Sequence, residues 1–191
     1  MEKSTAILIN RHRLTESSLI VHWCSAETGL FKTVAKGALR PKSVFTGQLD
    51  LFVTCELAFI RSKVSDLHTL NELHLVEPRL ALRTNYARIL AATYFSKLVE
   101  MVVESETPLG EIHELLRLSL DYLNTHDPSE RLIQRFENKL CAELGLGTIQ
   151  KGGAALLHET FHRALPPQRE LVFREIQRFR AKDSPSSHDF A

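Results

Sequence analysis

Hydrophobic and polar positions follow two different periods along this chain, and the period changes near residue 80. Up to about Pro78, short β-branched and aromatic runs alternate with turn residues, which is the pattern of strands. Thr5–Asn10 is the first run and Ser18–Trp23 the second. Leu30–Ala35 follows the turn Glu27-Thr28-Gly29, and then come Leu49–Ile60 and Leu67–Val76. No stretch between them is long enough for a βαβ crossover, so the pattern predicts a small antiparallel five-stranded barrel. An SH3-like barrel or a small sandwich would read the same way.

From Asn85 onward the period is helical. Leu90, Tyr94, Leu98 and Val102 recur every four residues and place one apolar stripe on one face. Thr107-Pro108 suits the start of a second helix, whose stripe is Ile112, Leu116 and Leu123. Asp127-Pro128-Ser129-Glu130 starts a third, with Asp127 as the acceptor side chain and Glu130 three residues on. Leu132, Phe136, Leu140 and Leu144 carry its stripe, and Gly145 stands where a C-terminal cap belongs. Three antiparallel helices on short turns are expected. Gly152-Gly153 then opens a short apolar segment, Ala154–Leu165, closed by Pro166-Pro167. Leu171, Val172, Ile176 and Phe179 mark one more amphipathic helix, and Lys182–Ala191 has the composition of a flexible tail. The expected division is a barrel over 1–80, a helical domain over 81–181 and a tail over 182–191, an α+β chain.

Composition narrows the class without naming a function. Hydrophobic residues make up 43% and charged residues 25%, which excludes intrinsic disorder. The apolar run after the N-terminus, Ala6 to Ile9, is too short for a signal peptide or a membrane span. The cysteines, Cys24, Cys55 and Cys141, are odd in number and form no Cys-x-x-Cys pair. Neither a disulfide framework nor a zinc ribbon is written here, and a reducing cytoplasm is the expected setting. No metal or other cofactor is expected.

The formal net charge is only +1, so any nucleic-acid site must come from clustering. One cluster exists: Lys32, Lys36, Arg40 and Lys42 fall in a stretch with no acid between Glu27 and Asp50. Gly37 and Pro41 mark a loop after the third strand. A basic loop on a barrel holds a phosphate backbone without reading sequence, although a solvated strand end would carry the same charges. Leu19, Val21 and Trp23 share one strand face, which assigns Trp23 to the core rather than to base stacking. Phe45, between Val44 and a Thr46-Gly47 turn, has the best claim to exposure among the nearby aromatics. On the third helix Arg131, Arg135 and Lys139 form a basic stripe beside the apolar one.

A rival chemistry sits at His158-Glu159-Thr160-Phe161-His162, a literal H-E-x-x-H. Two histidines one turn apart on a helix can hold zinc while the glutamate activates water, the arrangement of a metallohydrolase. Arg163 follows directly, and a third ligand would have to come from Glu170, Glu175, Asp183 or His188. The arrangement therefore favours ordinary surface histidines. No nucleophile elbow, phosphate-binding loop or dinucleotide fingerprint occurs.

Several pieces, taken in order, resemble one family. They are Ala6-Ile7-Leu8-Ile9 with Arg11, Glu16-Ser17-Ser18-Leu19, Thr28-Gly29-Leu30, Ala35-Lys36-Gly37-Ala38 and Lys42-Ser43. They look like the N-terminal domain of the RecO family of bacterial recombination mediators. Arg135-Phe136-Glu137 with Leu140 and Leu144-Gly145, and then Gln168-Arg169-Glu170-Leu171, are similar to its helical part. The resemblance implies an OB-fold that binds single- and double-stranded DNA through Lys32, Lys36, Arg40 and Lys42. It implies annealing of strands coated by single-stranded-DNA-binding protein, RecA loading with RecR, and a nucleoid-associated cytoplasmic setting without membrane contact or catalysis. It also places the acidic, Phe-ended tail of the single-strand-binding protein near Arg131, Arg135 and Lys139. Two departures stand out: Leu39 occupies a position where relatives often carry Arg, and the cysteine cluster that binds zinc in many relatives is missing between Gly147 and Gly152. A metallohydrolase, or a helical interaction module without DNA binding, remain the alternatives.

Overall fold

The computed structural model describes residues 1–147 and 152–183. Five strands form a closed barrel: β1 (Glu2–Arg13), β2 (Leu19–Ser25), β3 (Gly29–Ala35), β4 (Thr54–Ile60) and β5 (Leu67–Glu77). Their order around the barrel is β1-β2-β3-β5-β4, which is the OB topology. The pairing is not wholly antiparallel, because β3 meets β5 in parallel over Lys32–Val34. That one seam closes the barrel and separates this fold from an up-and-down meander.

The expected strand from Leu49 begins only at Thr54. Phe52 has a left-handed backbone (φ 66), and its N–H donates to the Leu8 carbonyl, so the chain turns there before the ladder starts. Residues 36–53 are therefore a long loop, although Phe45, Leu49, Phe52 and Val53 plug it into apolar surroundings.

A 3-10 turn at Leu80–Thr84 leads into α1 (Tyr86–Val102), followed by α2 (Glu111–Thr125), α3 (Glu130–Glu143), α4 (Gly153–Phe161) and α5 (Gln168–Asp183). Asn85 caps α1 by accepting from the Ala87 N–H at 2.8 Å. The second helix starts at Glu111 rather than at Thr107-Pro108. The backbone before it is used elsewhere: the Glu106 N–H donates to the Leu30 carbonyl at 2.8 Å and Leu109 to Ala26 at 2.9 Å, strapping the β2–β3 turn. Gly29 (φ 82) permits this approach, since a Cβ there would lie 2.2 Å from the Thr107 carbonyl oxygen. The third helix is capped by Ser129, not Asp127. Ser129 Oγ accepts from the Leu132 N–H at 3.2 Å, while Asp127 accepts from Arg88 and Asn85 on the far side of the turn. Gly145 (φ 68) ends α3 as expected, donating to the Ala142 carbonyl.

β1 explains how the helices pack on the barrel, since its two faces enter two different cores. Its run Ala6-Ile7-Leu8-Ile9 is buried throughout, because both strand faces are covered. Ala6 and Leu8 point into the barrel with Trp23, Phe31 and Phe59. Ile7 and Ile9 point outward into the cluster of Leu90, Tyr94, Phe95, Leu98, Leu116, Phe136 and Val172. Helix α1 sits centrally, against β1, α2 and α5, so its buried surface spreads beyond one stripe to Ala91, Phe95 and Val99. Helix α4 begins directly against α3, where Asn138 Oδ1 accepts from the Gly153 N–H at 2.7 Å. Cys24, Cys55 and Cys141 are free and buried, and burial pushes the Cys24 and Cys55 thiols up to about 12. Among the described residues no helix is long and apolar enough to cross a membrane. Of the tail expected over 182–191, residues 184–191 lie outside the described residues, and α5 runs on to Asp183.

Candidate nucleic-acid interface

One end of the barrel gathers the tips of three strands. Arg13 at the end of β1 pairs with Leu19 of β2, and Leu19 pairs with Ala35 of β3. The chain leaves β3 at Lys36 through consecutive turns, in which the Arg40 N–H donates to the Gly37 carbonyl and Ser43 to Arg40, both at 3.0 Å. Gly37 needs its left-handed conformation (φ 68), and Arg40 folds over it with Cδ 3.4 Å from where a Cβ would stand. The loop is tied to the β1–β2 hairpin, since the Leu39 N–H reaches the Ser17 carbonyl at 3.0 Å and the Gly37 N–H reaches Ser18 Oγ at 3.3 Å. Phe45 anchors its far side.

On this scaffold Arg13, Lys36, Arg40 and Lys42 are exposed, and none makes an ion pair among the described residues. Two acids lie close to them in the chain, Glu16 at the hairpin tip and Asp50. Asp50 is already held by Arg11 at 3.3 Å and by Arg83 at 2.8 Å. A shallow groove of about 290 Å³ runs past Arg11, Leu39, Arg40 and Asp50. The rim therefore keeps a surplus of uncommitted positive charge on a braced loop.

Lys32 does not belong to this rim. It pairs with Asp66 at 3.1 Å across the β3–β5 seam and lines a different cavity, beside Glu100 and Glu106. That pairing holds the Asp66 carboxyl below its ordinary value. The strand spacing puts Lys32 about 13 Å from Lys36 along β3. Conversely, Arg13, the last residue of the run Arg11-His12-Arg13, joins the rim, where the hairpin register sets it beside the end of β2.

No Trp or Phe ring of the barrel is exposed; the exposed rings on its strands are the imidazoles of His12 and His74. Trp23 is fully buried, its indole N–H donating to Thr33 Oγ1 at 2.8 Å. Phe45, expected to reach solvent, is 6% exposed because it fills the base of the 36–49 loop.

A second concave surface lies between α2 and α3. It is a groove of about 530 Å³ floored by Leu115, Leu132 and Phe136, with Leu118 and Tyr122 exposed on one lip and Arg131, Arg135 and Lys139 on the other, while Glu111, Glu114 and Glu143 also line it. The neighbouring Arg117 is not free, because Glu114 and Asp121 hold it at 2.6 and 2.7 Å.

The H-E-x-x-H sequence is not one helix face. Helix α4 ends at Phe161, and His162 is its left-handed C-cap (φ 51). The His158 ring is hydrogen-bonded through Nδ1 to the Arg163 carbonyl at 2.8 Å. Among the described residues no group of three His, Cys, Asp or Glu side chains could hold a metal ion.

These features define a class: an OB barrel with a cationic rim, its outer face packed into the core of a helical half that carries a cation-lipped apolar groove. Comparison with known proteins makes the assignment specific. Residues 1–79 match the family model described as Recombination protein O N terminal, and residues 83–155 match Recombination protein O C terminal. Similar proteins include the DNA repair protein RecO of Syntrophotalea carbinolica, 29% identical over 81% of this chain and 58% of its own length. The DNA repair protein RecO of Actinobacillus succinogenes is 30% identical over 73% of this chain and 57% of its own length. The chain belongs to the RecO family. It spans a little over half the length of these relatives.

Proposed function

We propose that this chain is a non-catalytic mediator of DNA repair and recombination that holds single- and double-stranded DNA on the barrel rim. The observation that carries this reading is the set of uncommitted cations: Arg13 at the end of β1, and Lys36, Arg40 and Lys42 on the loop braced against the β1–β2 hairpin. Such a rim neutralises phosphates and reads no sequence, which suits a protein that brings two complementary strands together. Base pairing then supplies the driving force for annealing. In this reading the α2–α3 groove takes the acidic, aromatic-ended tail of single-stranded-DNA-binding protein: Arg135 and its neighbours meet carboxylates, and the apolar floor takes the ring. RecA loading together with RecR, in the nucleoid-associated cytoplasm, completes the role that family membership suggests.

The test is a salt series. Log affinity for a single strand falls with log salt by roughly 0.7 per phosphate neutralised. Lys36→Ala with Arg40→Ala should flatten that slope by up to ~1.4, about equally on unrelated sequences. An unchanged slope places the DNA path elsewhere.

A further inference from the structure

The cations are not alone on the rim. Leu14 is 45% exposed and Leu39 is 41% exposed, and the backbone joins their turns: the Leu39 N–H donates to the Ser17 carbonyl inside the hairpin turn that Leu14 opens. Val44, 76% exposed, stands in the next turn of the same loop. Isolated apolar side chains at a surface need no explanation, but here two of them sit among Arg13, Lys36, Arg40 and Lys42. Meanwhile the Trp and Phe rings of the barrel, Trp23, Phe31, Phe45, Phe52 and Phe59, are all buried, and the exposed rings on its strands are the imidazoles of His12 and His74. A single strand lying on this rim would find cations for its phosphates and no Trp or Phe ring for its bases.

We infer that Leu14 and Leu39 form an aliphatic base platform: the unpaired bases of a strand whose phosphates lie on the neighbouring cations pack against these two side chains. The inference rests on the phosphate-binding role of the rim given above. The occupant follows from charge complementarity, since the leucines are flanked by uncommitted cations and a polyanion with apolar faces matches both. Paired bases are stacked inside a duplex and hide those faces, so the platform discriminates single strands from double strands. Weak, sequence-tolerant contact of this kind holds bases open for a complementary strand without competing with pairing.

The experiment compares three probes of equal length by fluorescence anisotropy: a thymidine oligomer, an oligomer of abasic sites with the same phosphates, and a blunt duplex. Leu14→Ser with Leu39→Ser should weaken thymidine-oligomer binding about three- to tenfold, with the salt slope unchanged. The same variant should bind the abasic oligomer and the duplex as the unaltered protein does. The single variants Leu14→Ser and Leu39→Ser should each give an intermediate loss, which guards against a folding defect in the pair. Equal loss on thymidine and abasic oligomers overturns the platform, and so does no loss on thymidine; the latter leaves the leucines for a protein contact. Lys36→Ala with Arg40→Ala reports separately. If it alters neither affinity nor slope on any probe, the phosphate rim itself is wrong and the platform falls with it.

Discussion

Glu137 and Arg169 are separated by 32 residues, yet Arg169 Nε donates to Glu137 Oε1 at 2.6 Å in the middle of the helical half. Glu137 is 1% exposed and accepts a second bond from the Tyr94 hydroxyl at 2.7 Å, so one carboxylate joins α1, α3 and α5. Burial, with the neighbouring carboxylate, raises the Tyr94 phenol well above its ordinary value. The guanidinium also stands over the Phe173 ring, 4.8 Å from its centroid. The Arg-Phe-Glu stretch and the Arg-Glu-Leu stretch therefore meet in space, each supplying one half of an ion pair.

Breaking that pair from one side strands a buried carboxylate. Arg169→Met should cost about 3 kcal/mol. At 2–4 °C per kcal/mol for a chain of this size, the melting midpoint should fall by roughly 6–12 °C. Replacing both partners with leucine, together with Tyr94→Phe to remove the hydroxyl that Glu137 accepts from, should recover much of the loss, because no charge or polar group is then buried alone. A midpoint within two degrees of the parent for Arg169→Met would remove the pair from the stability argument.

This pairing also marks where sequence reading stopped. The strands, the α1 to α3 stripes and the Gly145 cap follow from local periodicity and turn chemistry, so they were legible. The run Leu49–Phe52 was not, because an apolar stretch that plugs a barrel end reads the same as a strand until Phe52 takes its left-handed turn. Thr107-Pro108 looked like a helix start because the strapping bonds to Ala26 and Leu30 come from far away in the chain. Lys32 and Lys36 read alike in sequence; only the β3–β5 seam, which brings Asp66 to Lys32, tells them apart. Long-range partners decide such cases, and no local period encodes them.

Arg79 links the two halves in a similar way. It is 3% exposed, holds Asp121 of α2 at 2.7 Å, and donates to the Phe52 carbonyl and Thr54 Oγ1 at 2.8 Å each. Its removal takes the donor from the Phe52 carbonyl and Thr54 Oγ1 on the barrel side and leaves Asp121 of α2 to Arg117 alone. Arg79→Leu should therefore speed backbone hydrogen exchange together in the start of β4 and in α2, at a stability cost of about 2–4 kcal/mol. Faster exchange in only one of those segments would mean that Arg79 serves one half and does not couple them.

His113 should give the protein an acid-sensitive limb above the carboxylate range. Burial lowers its pKa from the ordinary value, against a raising influence of Glu114 and further lowering by Arg117 and Arg79. Its Nε2 has no hydrogen-bond partner among the described residues. The unfolded chain takes up a proton near the usual pH of about 6.5, whereas the folded chain resists until lower pH. Between those values the unfolded state binds more protons, so stability falls as pH drops below about 6.5. Glu2 and Glu114, held below their ordinary values by Arg61 and Arg117, contribute only at still lower pH. His113→Asn should flatten the melting midpoint between pH 7 and the carboxylate range relative to the parent. Parallel curves for the two proteins would exclude His113 as the source.

The groove and the rim are built from different elements, and that makes their roles separable. The rim uses the ends of β1, β2 and β3 and the 36–49 loop, and none of these lines the α2–α3 groove. Arg135 is exposed at the lip, while Phe136 beside it is buried against Phe95 with ring centroids 4.0 Å apart, so a change at 135 leaves the core packing untouched. Reversing its charge turns attraction for a peptide carboxylate into repulsion. Arg135→Glu should weaken an acidic, Phe-ended peptide by about tenfold or more, an effect that shrinks with added salt. Single-strand affinity and its salt slope should be unaltered. Arg117→Gln provides the comparison, because that guanidinium is already committed to Glu114 and Asp121 and has little left for a ligand. If Arg135→Glu lowers peptide and DNA binding alike, the two sites form one surface. If Arg117→Gln matches its effect on the peptide, charge near the groove matters but the α3 lip is not where the tail lies.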